Sequence, residues 1–212
     1  MKLKFNKSDH TYCLDGKWIP ALSNVLDFYF GEYQDFTNGK AAERGQYVHK
    51  ACEYYAKGIL GGVKEDLTGY INAFARFFKD NPGIMAGKPT TEHKTYITIP
   101  ENISNNLINW MGCGMRIDLI FRQSQVVIEI KSGIPAKKHF FYFSREEMQL
   151  NTQIHAIASK KKPPNTWTGF LLYLKPDGEY RAVEKEYNFN LWIHFRMALH
   201  GWYNKNYDKE NK

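Results

Sequence analysis

The chain has 212 residues, 43% hydrophobic and 24% charged, with a net charge of +7 and a pI of about 9.1. This is the composition of a soluble globular protein, and the length predicts one domain over 1–212 with a substantial core. Three isolated cysteines, Cys13, Cys52 and Cys113, form no CxxC pair, which excludes a zinc knuckle and a four-cysteine Fe–S cluster. The positive charge favours a polyanionic partner without identifying one. The first residues contain no apolar signal-like core and no apolar run approaches spanning length, so the expected setting is the cytoplasm, away from membranes.

In chain order, Thr11 to Leu14, Asp15-Gly16 and Lys17 to Ile19 read as a β-hairpin, with Asp-Gly as the tight turn and Pro20 as its end. Ser23 is positioned to cap a short helix through Val25, Leu26 and Phe30. Ala41 to Lys57 reads as a helix closed by Gly58, with Val48, Cys52, Tyr55 and Ala56 as its apolar stripe. After a break at Gly61-Gly62, Leu67 to Lys79 carries Tyr70, Ile71, Phe74, Phe77 and Phe78 at helical spacing, and Asn81-Pro82-Gly83 stops it. Glu92 to Ile99 is a strand closed by Pro100, followed by a loop from Asn102 to Asn109. Two strands follow, Met115 to Phe121 and Val126 to Lys131. Ile134 to Phe143 is a basic, aromatic connection. Ser144 and Glu147 form a capping box for a helix that buries Leu150, Ile154, Ile157 and Ala158. Trp167 to Leu174 and Tyr180 to Tyr187 are strands around the Pro176-Asp177-Gly178 turn. Leu191 to Tyr203 is the last helix, and 204–212 is a polar tail expected to fray.

Most informative is the stretch from Gly114 to Gly133. An even-length hairpin centred on Gln123-Ser124 sets Phe121 against Val126 and Asp118 against Glu129. Opposed residues in an antiparallel pair have Cβ atoms about 5 Å apart, where like charges repel. A divalent cation between two carboxylates relieves that repulsion, and Lys131 places an ammonium beside them. Two acids and a lysine around a cation suit phosphodiester hydrolysis. The residues alone also admit a solvent-facing hairpin in which Lys131 neutralises one acid, and a one-residue bulge would turn Asp118 to the other face.

Other residues are placed to join such a site. His49 and Glu53, four apart, share a helix face, so His49 is a candidate nitrogen ligand and Glu53 a candidate support. Gln149 and Gln153 flank a buried stripe and are candidates to orient a carboxylate or a phosphate. Glu92, on the preceding strand, is a candidate outer acid. Lys137, Lys138 and His139 are candidate backbone-phosphate contacts. The first three have bland alternatives: a surface His–Glu pair, solvated glutamines, an exposed strand residue.

Arg44-Gly45-Gln46-Tyr47-Val48-His49 resembles the RGxxxH helix motif of the RecB-like and phage recombination exonuclease branch of the PD-(D/E)xK nuclease superfamily. Gly114 to Asp118 is similar to that branch's G-x-x-x-D strand, Glu129-Ile130-Lys131 to its E-x-K, and Gln149-Leu150 to the start of its Q-x-x-x-Y helix motif. The opening from Tyr12 to Ser23 resembles the hairpin that precedes them. Gln153 stands where the family has Tyr, and the four-cysteine cluster of some relatives is absent. The resemblance implies a restriction-endonuclease-like α/β fold, a mixed central sheet flanked by helices. It implies that His49, Asp118, Glu129 and the Ile130 backbone carbonyl bind Mg²⁺ or Mn²⁺, that Lys131 positions or deprotonates the attacking water, and that Gln149 steadies the site. Arg44 and Ser23 would meet DNA. The function it implies is a metal-dependent DNA exonuclease acting on duplex ends, of phage or prophage recombination type. An annealing protein and further copies of the chain are its expected partners, in a host cytoplasm if phage-encoded. An endonuclease on the same fold and a non-catalytic DNA-binding domain are the rival readings.

Overall fold

The computed structural model describes residues 1–6, 11–31, 39–59, 64–100, 110–133, 143–158 and 161–210. Lys137, Lys138 and His139 lie outside the described residues, as do the Gly61-Gly62 break and the loop at 102–109.

A small antiparallel sheet comes first, in the order β1 (Leu3–Asn6), β2 (Thr11–Leu14), β3 (Lys17–Ile19). Asp15 and Gly16 both take positive φ, 49° and 88°, as the tight Asp-Gly turn requires. β1 has no turn signal to announce it; Leu3 and Phe5 alternate with polar neighbours and β2 supplies the pairing partner. Helix α1 (Leu22–Phe30) follows. Ser23 does not cap it: Ala21 holds the cap position with no side-chain bond. Ala21 is fixed there because it bridges to Gly114, whose N–H donates to the Pro20 carbonyl at 2.9 Å. Ser23 therefore falls in the first helical turn.

The central sheet has five strands in the order β4 (Thr90–Pro100), β5 (Trp110–Phe121), β6 (Val126–Lys131), β7 (Thr168–Leu174), β8 (Tyr180–Glu186). Only the β6–β7 pair is parallel, so the sheet is mixed. Parallel neighbours need a crossover, and α4 (Arg145–Ile157) lies in it. Helices α2 (Lys40–Ala56) and α3 (Thr68–Asp80) bury Val48, Cys52, Phe74 and Phe77 against Leu119, Phe121 and Ile128. Helices α1, α4 and α5 (Phe189–Glu210) cover the sheet elsewhere, with Leu26, Met148 and Phe195 clustered with Met115 of β5, and Leu150 and Ile154 with Ile120 and Leu171. The α/β sandwich expected from the sequence is thus present, with β8 as an added edge strand.

Three local expectations change. β5 starts at Trp110 rather than Met115, because β4 pairs with it from Pro100 onward. Helix α5 runs to Glu210, through the tail expected to fray. Tyr55 is 41% exposed rather than buried, its ring edge-on to Phe74 at 5.8 Å.

Candidate active site

The β5–β6 hairpin keeps the expected register: Phe121 faces Val126, Ile120 faces Val127 and Leu119 faces Ile128. There the ladder stops. One more step would bring Asp118 level with Glu129, but β6 continues beside β7 instead, as far as Lys131 opposite Tyr173. The fork between β5 and β6 is closed by side chains. Asp118 Oδ2 accepts the Ile130 N–H at 2.8 Å. Gln153, fully buried on α4, donates through Nε2 to Glu129 Oε2 at 2.7 Å and to the Arg116 carbonyl at 3.4 Å.

On the other side of β5, Thr91 faces Leu119 and His93 faces Ile117, which leaves Glu92 level with Asp118. The ladder is interrupted there too, and Glu92 takes φ of 50°, costly for a side chain with a Cβ. The core facing shifts at this level. Leu119 packs towards α2 and α3, while Ile117 and Ile120 both pack towards α4. No residue is inserted on either strand at this level, Thr91 to His93 spanning the same two steps as Leu119 to Ile117, so the bulge that would turn Asp118 away does not occur and Asp118 meets α2. His49 Nδ1 lies 3.1 Å from Asp118 Oδ1.

His49, Glu92 and Asp118 offer donor atoms within 4.8 Å of one another. Glu92, given a peripheral part by the sequence, is a member of this cluster, and Arg116 Nε holds it at 2.8 Å. No sequence signal announces the turned backbone that brings it in. Glu129, 3% exposed, stands at the side of the cluster in a polar clamp. Its Oε1 accepts from Gln149 Nε2 at 2.6 Å and from Lys131 Nζ at 2.8 Å, and Lys131 also donates to Gln149 Oε1 at 3.1 Å. A carboxylate only accepts, so both glutamines turn their amide nitrogens to it. That orientation leaves Gln153 Oε1 buried without a partner.

Burial alone would push the Asp118 carboxyl up. His49, the Ile130 N–H and Lys131 outweigh it and hold the group below the ordinary carboxylate range. Burial pulls the His49 imidazole down, but Asp118 outweighs it and the net shift is upward. Glu92 moves up, from burial first and then from the like charge of Asp118, against the pull of Arg116. One acid is held ionised and its neighbour resists ionising, which is the electrostatic state of a site short of positive charge. One histidine nitrogen and carboxylate oxygens at this spacing fit a divalent cation of the Mg²⁺, Mn²⁺ class.

A cavity of about 260 Å³ is lined by His49, Asp118, Glu129, Lys131 and Gln149 from the core, and by Ser23, Arg116 and Arg145 around them, with Glu92 and Gln153 behind this lining. Phe5 and Tyr12 of the N-terminal sheet form its apolar wall. The wall can approach because residue 114 is glycine: a Cβ there would lie 2.2 Å from Tyr12 Cγ. Gly45 of α2 lies beside Ser132, and a Cβ there would come to 3.4 Å from Ser132 Oγ, an ordinary contact. Arg44, one residue earlier, is exposed and outside the cavity lining. Glu53 does not reach His49; it is bound by Lys50 and Lys57. Arg116 and Arg145 were missed by sequence reading. Arg116 was findable, since it lies two residues before Asp118 on one strand.

No protein-family model matches the chain, and no curated protein matches it in sequence. Solved structures do. A protein of Eubacterium rectale described as a candidate exonuclease aligns over 87% of this chain and 77% of its own at 13% identity, with a TM-score of 0.50. The alkaline exonuclease of Laribacter hongkongensis aligns over 90% of this chain and 89% of its own at 13% identity and TM-score 0.43. The protein SSO0001 aligns over 87% and 84% at 19% identity and TM-score 0.40. At 13% identity the likeness to the Eubacterium rectale protein is one of fold alone. Among the described residues, no helix is long and apolar enough to cross a membrane.

Proposed function

We propose that the chain is a metal-dependent deoxyribonuclease acting on duplex ends, an exonuclease of the phage recombination type. The observation that carries this reading is the sheet fork itself. Asp118 and Glu129, both buried, stand on its two prongs with Lys131 beside one and His49 beside the other, and all four line one cavity. The exonuclease descriptions of two fold neighbours and the motif resemblance support it. DNA as substrate also suits the net charge of +7. The annealing protein and self-assembly belong to this reading through the resemblance alone.

His49, Glu92 and Asp118 would hold the cation, with Glu129 and the Ile130 carbonyl as the ligands the resemblance adds. When bound, it supplies Lewis-acid polarisation of the phosphoryl oxygen. The chain's own groups do the rest. Asp118, kept ionised, supplies the negative charge that retains the cation. Gln149 and Gln153 fix both oxygens of Glu129, so the carboxylate is aligned before substrate arrives. Lys131 Nζ, an ammonium pinned between Glu129 and Gln149, orients the attacking water, and to take its proton it would first give up one of its own. Water adds to phosphorus, the bond to the 3′ oxygen breaks, that oxygen takes up a proton, and a 5′-phosphate remains. The nitrogen ligand favours Mn²⁺ at least as well as Mg²⁺.

The test uses end-labelled linear duplex and closed circular DNA with Mg²⁺, Mn²⁺ or EDTA. Metal-dependent loss of the linear form alone is expected, and Glu129→Ala or Lys131→Ala should abolish it with the fold intact by circular dichroism. Cutting of the circle would replace the exonuclease with an endonuclease. Full activity in Glu129→Ala would sink the assignment, and cleavage of neither DNA would move the protein to a binding role.

A further inference from the structure

The cations around the cavity are each met by a carboxylate. Lys131 has Glu129 at 2.8 Å, Arg116 has Glu92 at 2.8 Å and Arg145 has Asp27 at 2.7 Å. Lys94 is different. It is exposed on β4, directly across from Arg116, and among the described residues no carboxylate lies within ion-pair distance of it. Its ammonium sits 4.8 Å from the centroid of the Phe5 ring, which is itself part of the cavity wall. An ammonium over an aromatic face keeps its charge and much of its hydration, so it stays available to an anion.

Its place along the strand gives that anion an identity. Lys94 is two residues from Glu92, a Cα separation of at most about 7 Å, with the chain turned at Glu92 itself. This is the scale of the step between neighbouring phosphates on an extended nucleic acid strand. A strand with one phosphate at the His49–Glu92–Asp118 cluster brings the next within reach of a cation so spaced. Phe5 is braced in turn by Tyr12, ring centroids 4.9 Å apart, so Lys94 rests on a fixed platform.

We propose that Lys94, seated on Phe5 of the cavity wall, is the positioning residue for the phosphodiester next to the one cleaved. This rests on the nuclease reading and adds to it the register in which the strand enters. Lys94 touches no reacting atom; its contribution is one counterion-releasing contact to the backbone.

The experiment is fluorescence anisotropy of a labelled single-stranded oligonucleotide with the full chain in EDTA, across a salt series. Lys94→Gln should lower the magnitude of the log–log salt slope by about 0.7, the share of one phosphate contact on a single strand. Lys94→Arg should restore it. In the cleavage assay, Lys94→Gln should raise KM more than it lowers kcat. An unchanged slope in Lys94→Gln, with normal wild-type binding, overturns the inference and leaves the nuclease reading standing. A fall in kcat at constant KM overturns it as well, by placing Lys94 in the chemistry. Wild-type protein that binds no oligonucleotide at any salt overturns the inference, and the cleavage assay on linear duplex then decides the nuclease reading separately.

Discussion

Glu53 sits four residues from His49, the spacing of a supporting acid, but its carboxylate is bound by Lys50 at 2.6 Å and by Lys57. The reason is local. Lys50 and Lys57 stand at i−3 and i+4 on the same helix, nearer than any group across the fork, and His49 is already turned to Asp118. Burial pushes the Glu53 carboxyl up, the two ammonium groups outweigh it, and the net shift is downward. A carboxyl lowered in the folded state stabilises above its unfolded pKa of about 4.3, and that stability is lost as pH falls through the lower folded value. Both lysines are about half exposed, so solvent screening limits the effect to about 1 kcal/mol. Glu53→Gln should therefore cost about that much in urea unfolding at pH 7, and the difference from wild type should shrink as the pH is lowered below the carboxylate range. A loss that persists undiminished in acid would mean that Glu53 acts through packing.

Helix α4 shows what one element does for the site. Its capping box fixes where it starts, with Glu147 N–H donating to Ser144 Oγ at 3.1 Å and Ser144 N–H to Glu147 Oε2 at 2.8 Å. That start sets the phase that turns Gln149 and Gln153, one helical turn apart, to the two oxygens of Glu129. Gln153→Leu keeps volume and helix propensity but removes the donor to Glu129 Oε2. Cleavage should fall about 10- to 100-fold, as for other partners that orient a ligating carboxylate, with circular dichroism unchanged. Wild-type turnover in that variant would make Gln153 a filler of the fork. The capping box, the hairpin register and the identities of Asp118, Glu129 and Lys131 were legible because each depends on near neighbours in sequence. The ladder's end after Leu119, the turned backbone at Glu92 and the N-terminal wall were not. They follow from β6 pairing with β7, from β4 meeting β5 out of regular alternation, and from Tyr12 closing on Gly114. Such long-range contacts leave no periodic trace. Gln153 stands between the two cases: its spacing from Gln149 marks it as a candidate to orient a carboxylate, the motif marks it as a departure, and the fold supplies the partner, Glu129.

At the scale of the whole molecule, the site lies where three separately built pieces meet: the sheet fork, α2 with His49, and the N-terminal sheet with α1. None of them carries a full set of donors alone, so a cation bound among His49, Glu92 and Asp118 links α2 to β4 and β5. Ligand that binds only the folded chain stabilises it by RT ln(1 + [L]/Kd), about 2.7 kcal/mol at a hundredfold excess over Kd. For a domain of this size each kcal/mol raises Tm by about 2–4 °C, so a shift of roughly 5–10 °C is expected with saturating Mn²⁺ or Mg²⁺ and none with EDTA. His49→Ala removes the α2 donor and should erase most of the shift, whereas Glu53→Gln on the same helix should keep it. The comparison isolates the cluster from the helix that bears it. It needs neither DNA nor turnover, so it separates cation binding from catalysis. A wild-type melting point indifferent to both cations would deprive the cluster of its proposed ligand and reduce the fork to a buried polar network held by Lys131, Gln149 and Gln153.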